Sequence, residues 1–184
     1  LSFITIILIT FFIYYNANKD NQRKILSENY IQAKIYLNEE KKELALDKLK
    51  EIVLANDPTY STLSFFLILN QNLVTDFKEV TVLFEHVLNN NKFDDEMKNL
   101  LIYKKAVFSS NYIDESVFLM DLQPLLNSNS IWKPHALLLA GDYFLSKEEF
   151  QKAKEFYMQL IAINNLQQNI FDKAKYQLTL INEK

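Results

Sequence analysis

The sequence predicts an all-α protein in which an apolar N-terminal segment leads into a series of antiparallel helix hairpins. Only one Gly and three Pro occur among 184 residues, too few turn formers for a sandwich or barrel that needs one every ~10 residues. From residue 25 onward apolar residues recur at helical spacing, interrupted by clusters of Asn, Asp, Ser and Pro. Those interruptions are only ~2–6 residues long, which makes each helix fold back on its neighbour.

The first element is the run LSFITIILITFFIYY at residues 1–15, which carries no charge. We expect a transmembrane segment over 1–16, followed by a helical repeat domain over 17–184. At 1.5 Å per residue the run covers ~22 Å of a ~30 Å hydrocarbon core, so the expectation includes further upstream residues completing the span. Tyr14 and Tyr15 before Asn16 suit an interfacial aromatic belt. Cleavage as a signal peptide would need small residues at the site, and Ala17 is the one nearby. Lys19, Arg23 and Lys24 follow the run; taken alone, they place the following domain in the cytoplasm by the positive-inside rule.

The next elements read as helices over 17–38, 42–55, 59–72, 76–90, 94–110, 114–127, 132–146, 148–164 and 168–182. Asp57 before Pro58 supplies a cap acceptor and a first-turn proline. Asp76 with Glu79, and Ser146 with Glu149, have capping-box spacing. Asp94, Asp95 and Glu96 open a helix, where negative charge is stabilised by the dipole and free N–H groups. Pro124 should break or kink the sixth helix, since it removes a donor and crowds the carbonyl four residues back.

Gly141, the single glycine, falls inside a helix, where it costs about 1 kcal/mol relative to alanine. Ala140-Gly141, then Tyr143 and Phe144, then Phe150, Ala153, Phe156 and Tyr157 follow a tetratricopeptide-like pattern. In that pattern small residues sit where two helices of a hairpin approach closely, and aromatics fill the gaps between hairpins. Gly141 is then bare because the partner helix at Ala153 occupies the volume. Ala33 and Tyr36, followed by Ala45, Leu49 and Ile52, repeat the logic near the N-terminus. The pairs around Ser64 and Val80 and around Ala106 are degenerate copies.

The spaced positions Leu122, Pro124, Leu125, Trp132, Ala136, Ala140-Gly141, Ala153 and Tyr157, together with the apolar leader, resemble the ancillary SecYEG translocon subunit (YfgM-like) family over nearly the whole chain. The resemblance implies a bacterial inner-membrane protein with one membrane helix and a periplasmic helical-repeat domain. It also implies association with the SecYEG translocon and with periplasmic chaperones. The basic flank at Lys19 to Lys24 departs from the simplest form of that topology.

Catalytic chemistry is not visible. His86 and His135, the two histidines, lack a carboxylate or histidine at i+4. One glycine cannot build a phosphate-cradling loop or a nucleophile elbow, and no cysteine is present. The net charge of −3, with charges mixed along the chain, argues against nucleic acid as a partner. We therefore expect a protein-binding scaffold, not an enzyme, with no cofactor, metal or small-molecule substrate. Tyr30, Lys34 and Tyr103, on first helices of hairpins, are the candidate partner-binding residues. A cell-division or envelope-assembly adaptor is the competing expectation, and a hydrolase hidden in the polar residues is a remote third.

Overall fold

The computed structural model describes residues 2–183; Leu1 and Lys184, the outermost residues of the expected segment and domain, lie outside them. The described residues form nine α-helices and no strand: α1 Ser2–Asn38, α2 Lys42–Val53, α3 Pro58–Asn70, α4 Phe77–Asn90, α5 Asp95–Ser109, α6 Glu115–Leu126, α7 Lys133–Ser146, α8 Phe150–Ile161 and α9 Gln168–Asn182. The all-α expectation holds, and most helix ends fall within a few residues of their expected places. The chain divides into two compact units, Leu1–Lys92 and Phe93–Lys184.

In the first unit α1 is one uninterrupted helix of 37 residues. The side chains of Ile4, Ile6, Ile7, Ile9, Phe11, Phe12, Ile13, Tyr14 and Tyr15 are all exposed. Among the described residues, no helix is long and apolar enough to cross a membrane; Asn16, Asn18, Lys19 and Asp20 end the apolar run after about four turns. Further along α1, Ala33 is fully buried with Ala45, Leu49, Ile52 and Val53 of α2. Phe65 of α3 meets Phe84 of α4 edge-on, with centroids 4.4 Å apart. Asp57 caps α3 as expected, accepting from the N–H groups of Thr59 and Tyr60 with Pro58 in the first turn. Asp76 caps α4 by accepting from Glu79 N–H.

The second unit has a continuous core running from Ala106 and Phe118 through Ala136, Ala140, Phe144, Ala153 and Tyr157 to Ile181. Asp94 caps α5, accepting from Met97 N–H at 2.8 Å. Phe118 of α6 stacks on Tyr143 of α7 at 4.0 Å, and Phe144 of α7 stacks on Phe156 of α8 at 5.5 Å. Along this unit α5 lies against α7 and α7 against α9. Helix α6 passes through Pro124 and ends two residues later at Leu126, so the proline sits in the closing turn, not at the break itself.

The α1–α2 and α7–α8 hairpins are built alike. Glu40 at φ 60° and Glu148 at φ 61° are left-handed, and both turns close with paired hydrogen bonds. Lys41 N–H donates to Tyr36 C=O and Glu40 N–H to Leu37 C=O, matched by Glu149 to Phe144 and Glu148 to Leu145. This is the Schellman arrangement, which satisfies the last carbonyls of the first helix. Asn72, at φ 49°, closes α3 in the same way through Leu73 to Ile68 and Asn72 to Leu69. Aligning the first two turns places Ala33 on Gly141, Ala45 on Ala153, Leu49 on Tyr157 and the end of α2 on the end of α8.

Two expectations need correction. Ser146 is the last residue of α7, and its hydroxyl donates to Tyr143 C=O. Helix α8 begins after Glu149, which makes no side-chain cap, so no capping box forms: the Schellman turn has already taken up Glu148 and Glu149. The volume beside Gly141 is filled by Tyr157, not by Ala153. A Cβ at residue 141 would stand 2.7 Å from Cδ1 and 2.8 Å from Cζ of the Tyr157 ring, and closer still to Cε1. Of the predicted packing residues, Ala33, Ala45, Ala140, Gly141, Ala153 and Tyr157 are buried, while Tyr36 is half-buried.

Candidate protein-binding face

The α5–α7–α9 side of the second unit carries half-buried aromatic and polar groups at the edge of the core. Tyr103 projects from α5; Trp132 precedes α7 as its N-cap, and His135 follows in the first turn. Being three residues apart, Trp132 and His135 share one side of the helix start. The Tyr103 ring stacks on Trp132 with centroids 5.6 Å apart and meets His135 at 5.8 Å, while Trp132 and His135 are 5.2 Å apart. All three rings are half-buried, and the His135 Nδ1 is buried with no hydrogen-bond partner.

Two turns further along α7, Asp142 accepts from the Tyr157 hydroxyl at 2.8 Å and from Lys173 Nζ of α9 at 2.7 Å. Its carboxylate therefore ties α7 to both neighbours. Burial raises the Tyr157 pKa above its ordinary 10.0, and the hydrogen bond to Asp142 and its negative charge add to the rise. Burial also raises the Tyr103 pKa, with the Asp142 charge second. Both phenols thus stay protonated hydrogen-bond donors at neutral pH. The face offers a partner three half-exposed, mutually tilted rings, among them a phenol donor.

The other candidates lie elsewhere. In the first unit the Tyr30 ring of α1 faces Tyr60 of α3 at 6.4 Å, and Lys34 is exposed one turn on. Tyr103 belongs to the second unit, so within neither unit do the three candidates form one group. His86 Nε2 lies 2.9 Å from Asn56 Oδ1, and its Nδ1 faces Asn90, a bridge that ties α4 to the α2–α3 corner. Glu96 of the acidic run accepts from the Ser130 hydroxyl. Among the described residues no three His, Asp or Glu side chains converge as a metal site would need.

Sequence reasoning missed the ring cluster and the Asp142 link. Asp142 lies two turns beyond His135 on the same side of α7, a spacing readable from the sequence, but its partners Tyr157 and Lys173 come from α8 and α9. Comparison of the chain with protein-family models, with curated proteins and with solved structures found no match in any of the three.

Proposed function

We propose that this chain is a membrane-anchored, protein-binding scaffold whose helix hairpins form a tetratricopeptide-like solenoid. The observation that carries the binding reading is the half-buried Tyr103–Trp132–His135 ring cluster. Aromatic residues are enriched among those that dominate binding energy. The matching turns of α1–α2 and α7–α8 and the first-helix contacts α5–α7 and α7–α9 support a repeat architecture.

The anchor reading rests on the apolar side chains exposed around the start of α1; a helix apolar on all sides belongs in lipid or in another protein. The uncharged run covers ~22 Å of a ~30 Å hydrocarbon core. The resemblance to ancillary SecYEG translocon subunits supports a specific version. The protein sits in a bacterial inner membrane with its helical domain in the periplasm, linking the translocon to periplasmic chaperones by binding and without catalysis.

A photo-crosslinker placed at Tyr103 in native membranes tests this, with Met158, exposed on α8, as the control position. Selective recovery of translocon or chaperone components from residue 103 is expected. Recovery of division or envelope-assembly proteins alone would replace the translocon reading by the adaptor one, and equal labelling from both positions would remove the proposed face.

A further inference from the structure

Where α1 leaves its apolar run, the first unit holds a cleft of about 600 Å³ between α1, the α2–α3 corner and the end of α4. Tyr15, Lys19 and Arg23 line it from α1, Asp57 from the corner and Lys92 from just beyond α4. Helical spacing explains the first three, since residues four and eight apart share a face. Arg23 is already engaged: its Nε lies 3.2 Å from Asp57 Oδ2, and its Nη2 donates to Thr59 Oγ1 at 3.1 Å. Lys19 and Lys92 are paired with no acid among the described residues, so the cleft carries two uncompensated positive charges. Asn56 and Asn90 add side-chain amides to the wall.

The place of the cleft along α1 selects its ligand. If Tyr15 marks the edge of the hydrocarbon, Lys19 lies ~6 Å beyond it along the helix axis, within an interfacial layer of roughly 5–8 Å. A lysine stem also bends readily toward that layer. The volume is in the range of small-molecule pockets, 300–1,000 Å³, larger than a bare ion requires. We infer that this cleft binds the phosphate-bearing headgroup of an anionic phospholipid, with Lys19 and Lys92 as its charged contacts. The inference rests on the membrane-anchored reading above. The chain as a whole carries −3, so its net charge opposes an anionic bilayer, and a preference for anionic lipid has to come from a local site.

The test measures association of the full chain with vesicles of phosphatidylcholine alone and of phosphatidylcholine mixed with phosphatidylglycerol. Association with both and tighter association with the mixture are expected. Lys19→Ser and Lys92→Ser should each reduce the preference about five-fold. Lys24→Ser should change it little, because Lys24 does not line the cleft and lies more than a Debye length beyond Tyr15. Equal losses at Lys19 and Lys24 with none at Lys92 would reduce the effect to general attraction and overturn the site. Association with both vesicles without preference would overturn the site while leaving the anchor intact, and association with neither would remove the anchor as well. In neutral micelles, dihexanoyl-phosphatidylglycerol should shift the Asn56 and Lys92 amide resonances. If inorganic phosphate shifts them as strongly and abolishes the vesicle preference, the ligand is a free phosphate and the lipid assignment fails.

Discussion

Replacing Gly141 by Ala sets two effects of opposite sign against each other. Alanine restores about 1 kcal/mol of helix propensity. Its Cβ, however, would stand 2.7 and 2.8 Å from two atoms of the Tyr157 ring and nearer a third, where carbon pairs prefer 3.5–4.0 Å. Relief requires a shift of roughly 1 Å, and the ring is poorly placed to make it: Tyr157 is fully buried, and its hydroxyl is held by Asp142. Overpacking of this kind costs about 1–3 kcal/mol, with the upper end apt for three crowded atoms, so the net expectation is a loss of about 2 kcal/mol. Trp132, the single tryptophan, belongs to the same unit, and its fluorescence during urea unfolding of the full chain in neutral micelles reads the change. The α1–α2 hairpin supplies the compensating pair, since Ala33 and Leu49 occupy the equivalents of residues 141 and 157. Gly141→Ala combined with Tyr157→Leu should therefore be more stable than the sum of the single changes predicts, by about 3 kcal/mol, the whole of the clash. A raised urea midpoint for Gly141→Ala alone, or strict additivity in the double variant, would refute the argument.

Three further outcomes follow from the same geometry. Ser64 is fully buried with no hydrogen-bond partner for its hydroxyl, so Ser64→Ala should stabilise the first unit by about 1 kcal/mol, visible as a higher midpoint by circular dichroism. Glu148, exposed and at φ 61°, occupies the position where glycine is preferred; Glu148→Gly should gain about 0.5–1 kcal/mol, whereas Glu148→Ala should not. The Tyr157 phenol has a raised pKa in the folded state: its contribution is complete below the unfolded value of 10.0 and is lost as pH rises beyond it. Stability of the second unit should then fall above pH 10.0, and Tyr157→Phe should flatten that alkaline limb by up to ~1.4 kcal/mol per pH unit. An unchanged limb would mean that Tyr157 ionises as freely folded as unfolded.

The sequence announces the helix boundaries because local chemistry sets them. Asp57, Asp76 and Asp94 each cap the helix they precede, as their spacing indicates. The equivalence of Ala33 and Ala45 with Gly141 and Ala153 is also readable, since buried small residues keep their register within a repeated hairpin. What fills the space beside a small residue is harder to read. A missing side chain is complemented by a large neighbour, and the neighbour of Gly141 is Tyr157, one helical turn beyond Ala153. Ser146 and Glu149 satisfy a sequence pattern, but the αL turn at Glu148 consumes the same backbone groups first. The cluster of Tyr103, Trp132 and His135 joins α5 to the start of α7, a tertiary contact that helical periodicity cannot supply.

Helix α1 contains neither Gly nor Pro and runs unbroken from its apolar start to the first hairpin turn. Such a shaft has no joint, so in the anchored arrangement proposed above the azimuth and height of the α1–α2 hairpin would be geared to the rotation and tilt of the helix start. Inserting one residue between Tyr15 and Arg23 would lift that hairpin by ~1.5 Å and swing it by ~100° about the axis. Inserting seven would restore its heading to within ~20° at a height ~10 Å greater. On that proposal the length of the stalk would act as a gauge of how far from the lipid a partner is met, and in which compass direction.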